Sequence, residues 1–529
     1  MTTSKVGRRC LALMAATAVV LAGCGGPGAS PSTQSGTGPV TEADIDPTAI
    51  LRVSAAASIP LLDPVQQTTY GMSGYLALIY DRLTMLDKDD NLIPGLATRW
   101  EFAPDGSFLE LTLRDDVTFH DGTPFDAAAL RANIERGKTL ETSTVRPMLA
   151  DITEVEVVNS TTARLHLVPG TGAQLPSTFA TMAGMMISPT ALADSSVDLR
   201  RNPGNAGSGP FVVSEFLPNE RLVLTKAPSY WDPQAGRLGG VELERIPDAT
   251  TQLNGVQTGQ TDLSFVSTPN SLAQAQALAD SGQLNFHPVM YRSVLGIFLR
   301  ANQGDLANPQ VRQAIAHSID PDAINALYSG RCTPYRQLYP EGSWPAIENY
   351  EYPYPYDPAR ARALVAAAGG AQVSISVGVG SNAEQPANVI QAGLAEAGID
   401  ARLNPVPNSE VEARFIAGDF EMYASTSFTP AIDPADTVDT YFLDRFKLAV
   451  DPAPIRAAAE QAGNPAMPQA ERGSLYEGIW RTALQQAWFI PICHLTLAAV
   501  HTDDVLFADN IPWMNIGIWD LRNVAMRRN

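Results

Sequence analysis

Basic side chains are scarce in this chain: 36 Lys and Arg stand against 56 Asp and Glu, for a formal net charge of −20. A surface so acidic repels phosphates, which excludes nucleic acid as a partner. Histidine is scarce too. The six, at 120, 166, 287, 317, 494 and 501, include no His-x-x-x-His pair, so the zincin metalloproteases are excluded. There is no Gly-x-Ser-x-Gly elbow and no Walker A loop, which removes the motif-bearing serine hydrolases and P-loop NTPases. Paired carboxylates of a glycosidase need no local motif and escape such a search. No segment beyond the first 25 residues has the apolar length of a membrane span, and no internal repeat of fixed period is present. With 45% hydrophobic residues and a mean hydropathy of −0.05, what remains has the composition of a globular body.

The start of the chain sets an address. Lys5, Arg8 and Arg9 precede an unbroken apolar stretch from Cys10 to Ala22, too short to cross a bilayer permanently and ending in small residues. This predicts a signal peptide over 1–23. The run Leu21-Ala22-Gly23-Cys24 resembles the lipobox of bacterial lipoproteins, in which the cysteine takes a diacylglycerol and becomes the new N-terminus. The expected mature protein is extracytoplasmic, held at the cell membrane through Cys24, with its net charge taken to −23 by loss of the three cations. Residues 25–40, rich in Gly, Ser, Thr and Pro, cannot bury enough apolar surface to fold and read as a tether, so 24–46 is taken as lipidated cysteine and linker. Cys10 leaves with the leader and Cys24 is lipidated. Cys332 and Cys493 remain, and two readings stay open for them: a disulfide, or two unrelated buried thiols.

About 480 residues follow the tether, more than one hydrophobic core usually organises, so two or three lobes are expected. The first half reads as sheet and turn: a strand over Ile50–Ala57, a helix over Gly74–Met85, an alternating strand within Trp100–Phe119, a helix over Asp126–Lys138, and a hairpin formed by VEVVN and ARLHLV. The second half places Ala-rich helices over 305–325, 355–369 and 383–398, with strands VSISVGV, ARLNPV and FEMYAST among them. Such alternation predicts a layered α/β lobe with buried central strands. Gly378-Val379-Gly380-Ser381-Asn382-Ala383 sits between strand and helix as a dinucleotide fingerprint would. Asp400, however, precedes its strand instead of ending it, which argues against a cofactor.

Five segments, in order, resemble the extracytoplasmic solute-binding proteins, family 5, that serve ABC transporters for peptides, nickel and related solutes. They are LIYDRLTMLDKDDNLIPGLATRWEFAPDGSFLELTLRDDVTFHDGTPFDAAAL, GSGPFVVSEFLPNERLVLTKAPSYWDP, NPQVRQAIAHSID, YDPARARALVAAAG and IQAGLAEAGIDARL. The resemblance implies an α/β fold: a two-lobed periplasmic-binding-protein-like clamp of type II, with mixed sheets flanked by helices. Lobe I would span 47–285, with an inserted subdomain at about 80–205. Lobe II would span 286–489, and 490–529 would return to lobe I, with crossover strands near Leu284–Ala301 and Ala487–Val500. It further implies a receptor with no catalysis, no metal and no cofactor. The receptor would be a monomer that closes on a small-molecule or peptide ligand and hands it to an ABC permease and ATPase.

In peptide-binding members of the family an aspartate shortly before an Asp-Pro pairs with the peptide ammonium. Here Asp433-Pro434 supplies the Asp-Pro, but Thr429 or Pro430 occupies the aspartate's place, and Ser427 or Phe428 replaces the usual tryptophan. Asp433 or Asp436 would have to take the role over. Peptide remains the leading class, with a metal chelate or glycoside, or a sensor or cell-envelope scaffold role, as alternatives. Tyr70, Tyr291, Trp344 and Trp513 lie in turn-rich or crossover segments and are candidate ligand contacts, because a clamp needs rigid aromatic area. Trp100, Trp231, Trp480 and Trp488 are assigned to packing. Gly207, Gly209 and Pro210 are expected to shape a tight turn, Asp121-Gly122 another, and Asp320-Pro321 a helix boundary.

Overall fold

Many helices of this protein begin where an Asp or Asn stands directly before a proline. Asn308, Asp320, Asp357 and Asp451 each accept a backbone N–H from the first turn, with proline at the first helical position. The proline has no N–H to strand and a φ already suited to the helix, while the side-chain oxygen supplies an otherwise missing acceptor. Asp320-Pro321 is therefore a boundary, as its composition suggests.

The computed structural model describes residues 40–67, 73–512 and 519–528, the side chains of 73 and 290–292 excepted. Cys24, Tyr70 and Trp513 lie outside the described residues. So does the side chain of Tyr291. Ala43–Asn529 forms one compact unit.

Its strands, in chain order, are β1 (Ile50–Ala55), β2 (Ala97–Phe102), β3 (Phe108–Leu113), β4 (Ile152–Asn159), β5 (Thr162–Leu167), β6 (Phe211–Leu217), β7 (Arg221–Lys226), β8 (Gly240–Arg245) and β9 (Leu263–Val266). There follow β10 (Asn285–Leu299), β11 (Ala371–Val379), β12 (Ile399–Pro407), β13 (Met422–Phe428) and β14 (Phe489–His501). One eleven-stranded sheet runs β12-β11-β13-β10-β14-β9-β1-β8-β7-β6, with Cys332–Pro334 added beside β14. β10 and β14 pair antiparallel from Asn285↔His501 to Phe298↔Phe489. One end of this ribbon continues through β9 toward the N-terminal strands, the other through β13 toward β11 and β12. A separate antiparallel sheet, β2-β3-β5-β4, belongs to the subdomain.

Among the helices, α1 (Ser73–Ile79) is shorter than expected from its spacing, α2 (Pro309–Ser318) and α3 (Pro321–Leu327) divide the expected 305–325 helix, and α4 (Glu384–Glu396) follows β11. α5 (Pro452–Ala462) and α6 (Gln469–Gln485) complete the set used below. The alternating segment LELTLR expected within Trp100–Phe119 forms β3, and Gly106, at a φ of +72°, turns β2 back onto it. Residues past α1 leave the helix because their side chains are held elsewhere. Asp81 accepts from Tyr230 Oη (2.8 Å), Trp231 Nε1 (2.9 Å), Ser208 Oγ (3.1 Å) and Arg522 Nη1 (3.3 Å). Arg522 Nε also donates to Asp520 Oδ1 at 2.8 Å, and Arg82 pairs with Asp520. All four charges are buried, and two cations balance two anions.

Gly207 and Gly209 are needed for close approach more than for a turn. A Cβ on Gly207 would stand 2.1 Å from the Ile79 carbonyl oxygen, and one on Gly209 2.6 Å from that of Leu78.

Among the described residues three large apolar cores result, beside a small cluster of Ile45, Leu506 and Ala525. The first joins α1, β1 and the subdomain around Leu76, Leu111 and Phe179. The second combines Leu253 and Leu272 from the first lobe with Ile315, Val373 and Ile490, so packing is continuous across the crossover region. The third is aromatic, centred on Phe298, Phe428, Tyr441 and Phe489.

Candidate functional site

β11 runs parallel to β12 on one side and to β13 on the other, so the C-terminal ends of three strands open together. In such sheets the carboxyl ends are where a crevice forms. Here they enclose a hollow of about 250 Å³ lined by Gly380, Ser381, Asn382, Asn408, Tyr423 and the β13 residues 424–427. Every lining side chain is uncharged at neutral pH. Gly378 has no side chain because a Cβ there would meet Asn408 Oδ1 at 2.2 Å, so the β11 backbone and Asn408 approach closely. Gly380 turns the chain at a φ of +74° and donates its N–H to Glu384 Oε2 at 2.6 Å, at the start of α4.

Fixed polar groups surround the hollow. Tyr328 Oη donates to the Asn382 carbonyl (2.6 Å), and Asn382 Nδ2 reaches Ser267 Oγ (3.0 Å), just beyond β9. Ser427 N donates to Ser425 Oγ at 2.9 Å. Ser381 Oγ is buried with no hydrogen-bond partner among the described residues, a group that a bound solute can satisfy.

The residues singled out from the sequence divide. Ser427 lines the hollow. Thr429 lies just beyond, its hydroxyl on Ser293 Oγ at 2.8 Å and its N–H on Tyr441 Oη at 2.8 Å. Phe428 is corrected: successive strand residues face opposite sides, and this one is fully buried, its ring 4.3 Å from those of Tyr441 and Phe489. Asp433 is corrected as well. Its Oδ1 caps the following turn through Ala435 N (3.0 Å), and its Oδ2 accepts from Arg472 Nη2 at 2.7 Å, both partners being buried. Both carboxylate oxygens are thus engaged within the fold. Trp344 packs edge-on against Tyr476 (6.1 Å) with the Arg472 guanidinium 5.3 Å from its ring, away from the hollow. Trp480 and Trp488 are buried, as assigned. Asp400 is the second residue of β12, at the opposite end of the strand from Gly380, so the dinucleotide arrangement is absent.

Near Asp433, segments distant in sequence meet. Ala173 N donates to the Gly463 carbonyl (3.2 Å), and Ile432 packs on the first core. Asp151, held by Gln174 Nε2 at 2.7 Å, faces Asp436 and Asp439 closely enough to raise both. Burial first, then the charges of Asp433, Asp439 and Asp151, push Asp436 up to about 8. Burial and the neighbouring Asp444 push Asp439 up to about 6.

Cys332 and Cys493 are joined in the structure, their Cα atoms 5.3 Å apart, where Cys332–Pro334 pairs with β14. Among the described residues no helix is long and apolar enough to cross a membrane, and no group of three His, Cys, Asp or Glu side chains is placed to hold a metal ion.

Two lobes on a shared pair of crossover strands, with a polar hollow where parallel strands end, define a two-lobed periplasmic binding fold. The profile of bacterial extracellular solute-binding proteins, family 5, matches residues 91–447, and the chain belongs to that family. The glutathione-binding protein of Salmonella paratyphi A is 30% identical over 292 residues, 54% of this chain and 56% of that protein. The chain thus spans about half the length of the curated relatives it matches. Among solved structures, NikA from Brucella suis in complex with Fe(III)-EDTA superposes with a TM-score of 0.76 at 24% identity, covering 86% of this chain and 95% of that one. The periplasmic binding protein DppA from Helicobacter pylori in complex with the peptide STSA gives 0.76 at 22% identity, covering 92% and 99%.

Proposed function

We propose that this protein is the solute receptor of an ABC importer, without catalysis of its own, and that it captures a short peptide or peptide-like solute at the ends of β11, β12 and β13. One observation carries the reading: an uncharged hollow rich in hydroxyl and amide groups, bridged to the first lobe through Asn382 and Ser267. Hydroxyls and amides match the alternating donors and acceptors of a peptide backbone. The glutathione-binding relatives support a small peptide-like cargo. A solute spanning 47–285 plus 490–529 on one side and 286–489 on the other favours whichever lobe arrangement offers both sets of contacts. The absence of charge in the hollow favours a second reading, a non-peptide solute such as a metal chelate or glycoside.

Native mass spectrometry of protein purified from cell extract, before and after mild denaturation, distinguishes these. Released peptides support the first reading, and a chelate or glycoside replaces it. Ser381→Ala should weaken binding of the released solute by about tenfold, the loss of one buried hydrogen bond. Unchanged affinity removes the hollow from the site.

The proposal includes anchoring at the membrane surface by a diacylglyceryl Cys24, and action as a monomer beside a permease and ATPase. A lipid and a flexible tether raise the local concentration of receptor at its permease. Cys24→Ser should release the protein from membranes on fractionation, and continued pelleting would refute the anchor.

A further inference from the structure

A second concavity shares no lining residue with the hollow at the ends of β11–β13. It has a volume of about 660 Å³ and is formed where α5 and α6 face the start of α2. Ile455 and Ala458 of α5, Leu475 and Ile479 of α6, and Trp488 give it an apolar lining. Arg312 of α2 lines it too, and is only 3% exposed. Its Nε donates to the Gln486 carbonyl (2.8 Å) and its Nη1 to that of Leu306 (2.7 Å). Among the described residues these two carbonyl bonds are the ones Arg312 makes and no carboxylate pairs with it, while Nη2 is not sealed from solvent and is left on the groove side. Burial accordingly lowers its pKa. Buried cations are ordinarily paired, and this one faces an apolar groove without its anion. The one acid lining the groove, Asp451, is exposed at the rim and caps α5 through Ala453 N.

Gly478 adds an independent observation. It sits in the interior of α6, where glycine is among the least favourable residues. Its backbone is helical, and a Cβ built on it meets no atom within 4 Å. Neither backbone conformation nor close packing calls for glycine there. The missing side chain leaves the groove open.

We propose that this groove is a ligand site separate from the inter-lobe hollow, and that it takes an amphiphile bearing one carboxylate and an unbranched apolar chain. The carboxylate would pair with Arg312 Nη2, away from Asp451 at the rim, and the chain would lie along Ile455, Leu475 and Trp488. The volume falls within the range of small-molecule sites.

Isothermal titration of the full chain with octanoate, and with octanamide as its uncharged counterpart, tests the assignment. Octanoate should bind saturably, and octanamide about tenfold or more weakly, the difference between a charge-assisted and a neutral hydrogen bond. Gly478→Leu should abolish octanoate binding while leaving the unfolding midpoint unchanged or raised, since leucine is the better helix former. A solute held in the inter-lobe hollow should be unaffected by that substitution. Equal binding of octanoate and octanamide, wild-type affinity in Gly478→Leu, or no saturable binding at all would each overturn the proposal.

Discussion

Replacing Asp433 by alanine separates a structural carboxylate from a recognition carboxylate. In the folded protein its two oxygens serve Ala435 N and Arg472 Nη2, and the side chains of Asp433 and Arg472 are 8% and 9% exposed. Losing the cap costs about 1 kcal/mol. Stranding a buried guanidinium costs about 3–5 kcal/mol. Two features reduce the total: Arg472 keeps its Nε bond to the Ala462 carbonyl, and Asp436, relieved of a neighbouring charge, ionises more readily beside it. A net loss of about 3 kcal/mol is expected, with solute affinity changed by less than about twofold. Urea denaturation gives the first quantity and titration calorimetry on the same preparation the second. Asp433→Asn, which keeps the cap and loses the charge, should fall between wild type and Asp433→Ala in stability. An alanine variant that unfolds at the wild-type midpoint but binds tenfold more weakly would show the carboxylate facing the solute, and the assignment would fail.

Further predictions concern the cysteines, Asp436 and Asp439, and the buried charges. The Cys332–Cys493 separation of 161 residues makes the bond worth about 5 kcal/mol in the chain-entropy account; the Cys332→Ala, Cys493→Ala double variant should unfold at correspondingly lower denaturant, and two alkylatable thiols in the unreduced protein would refute the bond. Asp436 and Asp439 hold their protons more tightly folded than unfolded, so their contribution favours the fold at acid pH and fades as pH rises from about 4 toward 8. Asp436→Asn should flatten the fall of the unfolding midpoint between pH 5.5 and 8.5, and parallel curves for variant and wild type would contradict this sign (pH values on the order of the assay range). Asp81→Ala removes four hydrogen-bonding partners and leaves Arg522 half-paired, for a loss of about 3–5 kcal/mol by urea denaturation; a loss below about 1 kcal/mol would show that water replaces it.

Long apolar and Ala-rich periods made the crossover strands and the helices of the second half legible, since those patterns answer to burial along one continuous segment. Local chemistry likewise exposed the helix start at Asp320-Pro321. What stayed hidden depends on distant partners. α1 stops early because Asp81 and Arg82 are held by residues more than 400 positions away. Asp433 looked available because Arg472, 39 positions on, cannot be paired with it by inspection. The hollow draws on positions near 380, 408 and 425, none of which carries a charge. The visible clue was the strand-to-helix turn at Gly380, whose place at the end of a parallel strand meant more than its likeness to a dinucleotide loop.

The buried quartet of Asp81, Arg82, Asp520 and Arg522 also orders events in time. Chains are made from the N-terminal end, and Asp81 and Arg82 precede their charged partners Arg522 and Asp520 by 441 and 438 residues. Until those partners arrive, sealing the first lobe would bury an anion and a cation apart from their counterions, so that lobe stays unfinished. A chain cut shortly before residue 520 would lack the carboxylate of Asp520 and the guanidinium of Arg522 that Arg82 and Asp81 face, and the core around Leu76 would lie more open to protease.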